Sequence, residues 1–348
     1  HISRESGIRV PGVPGISMIR YFVGFILSFV FALCWTPILR QAALQLGIVD
    51  KPDGRLKKHE NAIPYLGGIA VFAAYLLTIG VLTDFEDRET LGLLLSGSIA
   101  LLVGLIDDFG ALTPKQKMLG QILAALVLIK SGTFIKLEFL GYLAIPLTVL
   151  WIVAVTNAFN IIDIMDGLAS GVAAVAAVSI ATANHMAGRD SQAFLAAVLA
   201  GSALGFLRHN FHPAKIFLGD AGSMFMGFML AALSMNAGYT RVNLLAVISP
   251  ILILGIPLFD LLLVMFIRWR KGIPVTKGSP DHFALRLRRC NLSIRETAIT
   301  TYIVGILLGF VALLMSNIQL GWAVAAVVGT MSVACLSAYL LLKVHMHS

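Results

Sequence analysis

The sequence predicts an all-α polytopic membrane protein, a bundle of about 10–11 transmembrane helices with an active site on the cytoplasmic face. Three observations carry that prediction. Of the 348 residues, 58% are hydrophobic and only 13% charged, against roughly 25% charged in ordinary globular domains. The mean hydropathy is +0.89. The apolar residues also come in runs of about 20, the length a helix needs to cross roughly 30 Å of hydrocarbon. A water-soluble enzyme is thereby excluded. The cysteines supply no disulfide framework, because Cys34 and Cys335 fall in apolar runs and Cys290 in a basic loop.

Taken in order, the apolar runs place helices near 18–39, 64–83, 90–106, 116–131, 140–158, 168–187, 191–207, 223–237, 243–267, 296–315 and 319–342. The runs 116–131 and 223–237 are short for a span. Residues 1–17 combine scattered Arg with Pro-Gly and are read as a remnant or disordered leader outside the fold. The rest, 18–348, reads as one integral membrane domain. Its longest hydrophilic stretches, 40–63 and 268–295, are too short to be domains of their own.

Orientation follows from the Lys and Arg distribution. Most of the 26 basic residues, among them Arg40, Lys58, Lys115, Lys117, Arg208, Lys215 and the run Arg268 to Arg295, fall in loops that alternate to one face. That face is expected to be cytoplasmic, and the net charge of +8 is a topology and anionic-headgroup signal. No nucleic-acid partner is expected, since these loops lack aromatic interleaving.

Polar residues that interrupt apolar helices cost free energy at membrane depth unless they find a partner or line a wet cavity. Here they gather at the expected cytoplasmic ends. Asp107 and Asp108 close the third helix; Asn157, Asn160, Asp163 and Asp166 close the fifth; Asp220 opens the eighth, within Phe217-Leu-Gly-Asp-Ala-Gly-Ser223. Adjacent acids lie about 100° apart on a helix. One of Asp107 and Asp108 can therefore face a metal or phosphate while the other meets a cation, and both equally suit solvated helix-end charges. The Asn/Asp stripe recurs every third residue. Either the helix tightens to a 3₁₀ turn there or the two ends of the stripe serve different ligands.

Asn and Asp are hard oxygen donors, suited to Mg²⁺ or Mn²⁺. Asp220 reads both as a metal ligand beside exposed backbone N–H groups and as a simple N-cap. Lys57, Lys58, Lys115 and Lys117 can help neutralise a diphosphate or merely hold topology. In the loop Lys277 to Arg289, His282 and Arg286 are candidate ligands for a sugar or phosphate, and Arg288 and Arg289 suit lipid headgroups. Asp260 lies about 12 Å below the interface at helical rise, with a structural hydrogen-bonded role favoured.

These motifs, from Asp50-Lys-Pro-Asp-Gly-Arg55 and Lys58-His59 through Asp107-Asp108 and Asn157 to Gly167, and on to Asn210-Phe-His-Pro and Asp220, resemble the polyprenyl-phosphate N-acetylhexosamine-1-phosphate transferases. The resemblance covers most of the chain and lies nearest the GlcNAc-1-phosphate transferase branch of glycosyltransferase family 4, related to the MurNAc-pentapeptide enzyme. It implies transfer of a sugar 1-phosphate from a UDP-N-acetylhexosamine, GlcNAc foremost, to undecaprenyl phosphate in the bacterial inner membrane. UMP is released and a cell-envelope glycan is initiated. By motif position it implies Asp220 and Asn160 as Mg²⁺ ligands and Asp107, Asp108, Asp163 and Asp166 as catalytic. It further implies Lys58, with Lys57 adjacent, as the phosphate-binding lysine, and Asn157, Asn210, Phe217, His282 and Arg286 as substrate-binding. A homodimer is compatible with it. One departure is visible: the last large cytoplasmic loop, Pro280-Asp-His-Phe-Ala-Leu-Arg286, carries one histidine where many members carry several. The competing class is an ion- or proton-coupled transporter, which predicts carboxylates spread through membrane depth.

Overall fold

The computed structural model describes residues 14–50, 63–83, 87–235, 237–274 and 281–344. Among them the chain is a helical bundle: α1 (Pro14–Gln45), α2 (Gly67–Leu82), α3 (Arg88–Asp108), α4 (Pro114–Ser131), α5 (Ala144–Ile162), α6 (Leu168–Met186), α7 (Asp190–Asn210), α8 (Gly219–Ser234), α9 (Ser249–Ile253), α10 (Gly255–Lys271), α11 (Phe283–Arg289), α12 (Ile294–Met315) and α13 (Leu320–Leu342). Seven of these helices are long and apolar enough to span a membrane alone. A further span is broken, the 244–253 segment meeting α10 at 78°.

Each of the eleven apolar runs contains helix, but the ends differ in ways that matter. α1 begins at Pro14, inside the segment expected to be a leader. The expected ninth span is bent at Leu254, and α11 is a short helix that the hydropathy pattern did not announce. The all-α expectation holds, with a short extended pairing between helices: Val49 and Asp50 pair antiparallel with Pro64 and Ile63. Phe217 N–H then donates to the Pro64 carbonyl, and Gly67 and Gly68 N–H donate to the Phe217 and Leu218 carbonyls. This extended seam ties the start of α2 to the start of α8.

Local chemistry sets the helix ends. Asp87 caps α3 by accepting from the N–H groups of Glu89 and Thr90. Thr113 with Gln116, and Ser293 with Glu296, form capping boxes at α4 and α12. α4 and α10 stop at Gly132 and Gly272, both left-handed.

Burial is graded from the centre outward. In α6 and α7, 72% of the spanning window is buried by protein, in α13 only 6%. Nearly every residue of α8 is buried. α8 can therefore be shorter than a lipid-facing span, because its neighbours and not the bilayer surround it. Small residues admit that approach: a Cβ at Gly68 would overlap the backbone of Gly222, and one at Gly104 would lie 2.6 Å from Cα of Ala221. α2, α3 and α8 thus touch backbone to backbone at the end where Asp220 emerges.

Candidate active site

Three helix ends meet around one lysine. Nζ of Lys117, in the first turn of α4, donates to Oδ2 of Asp107 at 2.6 Å, to Oδ1 of Asn160 at 2.8 Å and to Oδ2 of Asp220 at 2.6 Å. All three ammonium protons are therefore engaged. Asn160 closes the ring, donating through Nδ2 to Oδ1 of Asp220 at 2.8 Å and to Ser223 Oγ at 3.1 Å. The Asp220 side chain keeps 36% of its surface exposed, against 17% for Asp107 and 13% for Lys117, so the open side of the cluster is at Asp220.

Asp108 points elsewhere. Its carboxylate accepts from the N–H of Asp220 at 2.7 Å and of Ala221 at 3.0 Å, capping α8 from a different helix. Negative charge there also suits the helix macrodipole. The two adjacent acids thus divide as their angular offset requires, one to a cation and one to backbone donors. Gly219 makes the fit possible: its φ is +74°, and a Cβ would lie 2.8 Å from Asp108 Oδ2. Asp220 is consequently not the N-cap, a place held by Leu218 without a side-chain bond.

The Asn/Asp stripe resolves into separate partners, with α5 regular to Ile162 and no 3₁₀ tightening across Asn157 and Asn160. Asn157 and Gln121 of α4 exchange amide hydrogen bonds at 2.7 and 3.3 Å, one turn deeper than the acids. Asp163 follows the end of α5, and among the described residues its carboxylate has no hydrogen-bond partner. Burial, reinforced by the charges of Asp220, Asp108 and Asp166, pushes its carboxyl well above the ordinary range. Asp166 instead accepts from His212 Nδ1 at 2.7 Å and Ala214 N–H at 3.0 Å, bracing the turn after α7.

Asn210 is 3% exposed, and both ends of its amide are occupied. Oδ1 accepts from Gly167 N–H and Ser170 Oγ, and Nδ2 donates to the Ile216 carbonyl. It fastens α6 to the segment before α8. Phe217 is half-buried, with its backbone in the extended seam. Lys58 and Lys57 lie outside the described residues.

His282 and Arg286 belong to a second polar cluster. Asp281 accepts from Lys271 and Arg286, each at 2.9 Å, and Arg286 donates further to the carbonyls of Leu341 and Val344. Burial raises the Asp281 carboxyl, but hydrogen bonds and charge from Lys271 and Arg286 outweigh it and hold the group below the usual carboxylate range. With its guanidinium so engaged at 4% exposure, Arg286 has a structural place.

Of the residues expected from sequence, then, the fold joins Asp107, Asn160 and Asp220 directly, with Asp108 behind them. Sequence reading had Lys117 only as one of several loop lysines and did not single out Gln121 or His212. The available signal for Lys117 was its place one turn into a Pro-initiated helix directly after the acid pair.

The donor set of Asp107, Asn160 and Asp220 is oxygen only, which suits Mg²⁺ or Mn²⁺ in kind. Among the described residues no group of three or more His, Cys, Asp or Glu is arranged to hold a metal. The protein's share of a Mg²⁺ shell would be Asp220 and Asn160, with phosphate oxygens completing it, the usual arrangement for this ion. The point where three oxygens already gather on a cation is consistent with that donor set.

This is a membrane-embedded glycosyltransferase by fold and relationship. Residues 90–238, which hold Asp107 through Asp220, match the model of Glycosyl transferase family 4. The chain is 36% identical over 314 residues, 86% of each chain, to the probable undecaprenyl-phosphate N-acetylglucosaminyl 1-phosphate transferase of Bacillus subtilis. It is 31% identical over 319 residues, 81% of this chain and 78% of the relative, to the decaprenyl-phosphate N-acetylglucosaminephosphotransferase of Mycobacterium tuberculosis. With the undecaprenyl-phosphate alpha-N-acetylglucosaminyl 1-phosphate transferase of Escherichia coli K12 it shares 26% over 314 residues, 86% of this chain and 85% of the relative. The chain belongs to glycosyl transferase family 4.

Proposed function

We propose that the protein transfers GlcNAc 1-phosphate from UDP-GlcNAc to undecaprenyl phosphate at the cytoplasmic face of a bacterial inner membrane. An oxygen of the lipid phosphate forms a bond to the β-phosphorus. The bond from that phosphorus to the bridging oxygen breaks, and UMP leaves with the electron pair. The observation that carries the reading is the convergence of Asp107, Asn160 and Asp220 on Lys117 at one end of the bundle. The relatives, polyprenyl-phosphate N-acetylglucosamine 1-phosphate transferases by name, suggest the substrate class.

Phosphoryl transfer asks mainly for positioning and charge neutralisation. Mg²⁺, or Mn²⁺ in its place, would supply Lewis-acid polarisation of the diphosphate when bound at Asp220 and Asn160. Lys117 exchanges an acidic partner for a phosphate oxygen as the diphosphate enters. Asp107 faces the incoming lipid phosphate, and Asp108 holds the Asp220 turn rigid through the α8 backbone. Asp163, whose buried carboxyl keeps its proton, can donate a hydrogen bond to a phosphate oxygen. Asp166 fixes the turn beside the nucleoside, and Phe217 supplies a ring for the uracil. All the clustered residues come from one chain, so a homodimer would assemble two complete sites. Carboxylates gathered at one end of the bundle also disfavour a transport relay, which needs them through the depth.

The test is UMP release by the detergent-purified protein given UDP-GlcNAc, Mg²⁺ and undecaprenyl phosphate. Release that requires both lipid and metal is expected. Release without the lipid, or none with any UDP-N-acetylhexosamine, would refute the assignment.

A further inference from the structure

The second polar cluster contains a buried acid that the transfer chemistry above does not use. Asp260 on α10 is fully buried, and its Oδ1 accepts from the Phe283 N–H at 2.8 Å. Its Oδ2 accepts from Nδ1 of His282 at 2.8 Å. With both carboxylate oxygens acting as acceptors, the proton of this contact lies on Nδ1, and in the neutral ring Nε2 then keeps its lone pair. The turn that bears His282 is pinned from the other side. Asp281 is held by Lys271 and Arg286, and Arg286 is anchored on the Leu341 carbonyl at the end of α13 and the Val344 carbonyl just beyond it. Three helices, α10, α11 and α13, thus fix the turn that bears this imidazole. α10 packs against α5, the helix that carries Asn160, so this turn and the acidic cluster share the same wall of the bundle.

A pin alone would not need a carboxylate, because an amide at 260 could accept from Phe283 N–H at no charge-burial cost. What an amide cannot do at the same time is accept from Nδ1 of His282. Its NH₂ would face that nitrogen and force the proton to Nε2. We propose that Asp260 is a positioning residue that holds His282 in the Nδ1–H form, so that Nε2 accepts a hydrogen bond from a hydroxyl of the donor sugar. This rests on the transferase reading given above.

The experiment is a double-mutant cycle on the full-length protein with UDP-GlcNAc, Mg²⁺ and undecaprenyl phosphate. Asp260→Asn and His282→Gln should each lower kcat/KM for UDP-GlcNAc about 10-fold or more, leaving KM for the lipid unchanged. The double variant should be no worse than His282→Gln, and Asp260→Glu should recover part of the loss. Losses that multiply, or wild-type kinetics in Asp260→Asn, would overturn the proposal. Should Asp260→Asn fail to fold, ¹⁵N-histidine NMR of the wild-type protein still decides, because a His282 protonated at Nε2 alone would overturn it. If the wild-type protein releases no UMP, the transferase reading fails. The tautomer measured on the same sample then judges the Asp260–His282 relation by itself.

Discussion

The carboxylate of Asp108 caps the helix that carries Asp220, 112 residues further along the chain. An acid on α3 thereby sets the position of an acid on α8, and the two cannot be exchanged. Asp108→Ala is expected to lower stability by about 1–2 kcal/mol, the usual cost of a lost cap. Turnover should fall by more than that stability loss explains, because the Asp220 turn loosens. Thermal unfolding and UMP release measured on the same detergent preparation check this; full activity with an unfolding temperature equal to wild type would contradict it.

Lys117 compensates the charges of Asp107 and Asp220. Lys117→Met leaves two facing carboxylates without their cation, and is expected to cost about 1–3 kcal/mol, discounted for the partial exposure of Asp220. Millimolar Mg²⁺ should then raise the unfolding temperature of the variant more than that of the wild type, since the ion replaces the missing charge. Equal shifts in the two proteins would argue against a shared point of cation binding.

Asp163 predicts a pH dependence of defined sign. Burial, with the charges of Asp220, Asp108 and Asp166, raises its carboxyl, so the folded protein keeps a proton that the unfolded chain releases. Stability linked to this group is complete below the ordinary carboxylate range and is lost as pH rises through the raised value. In EDTA, Asp163→Asn should therefore unfold at a higher temperature than wild type near about pH 8, with the difference closing towards about pH 4. Parallel curves over that range would remove the argument.

Gly104 lies where α3 meets α8, and a Cβ there would overlap the Asp220 carbonyl and approach Cα of Ala221 to 2.6 Å. Gly104→Ala should therefore displace the Asp220 turn. The expected cost is about 1–3 kcal/mol of overpacking, together with a loss of turnover that Mg²⁺ does not restore. Wild-type kinetics in this variant would show that the α3–α8 contact does not position the site.

Much of this was legible in the sequence, and what was not has physical causes. Spanning-length apolar runs located the helices because lipid imposes that length. α8 was visible only as a short run, since enclosure by protein frees it from that constraint, and its start was read at Ser223 instead of Gly219. The bend at Leu254 lies within one apolar run, whose two parts together are long and apolar enough to span, so run length does not locate it. Asp107, Asn160 and Asp220 stood out as polar residues at expected helix ends, and they do meet. The division of labour between Asp107 and Asp108 could not be assigned, because it depends on which neighbour each side of α3 faces. Asn157 and Asn210 were read as substrate-binding from their motif positions, and their hydrogen-bond partners within the fold could not be read that way. Gln121 and Ser170, which hold them, are unremarkable in a linear reading.

The most direct test is UMP release by Asp220→Ala beside wild type, with UDP-GlcNAc, undecaprenyl phosphate and Mg²⁺, and with folding checked by thermal unfolding. Loss of turnover to background in a protein that still unfolds cooperatively is the expected result. Turnover equal to wild type would show that the chemistry takes place elsewhere than at the Lys117 junction.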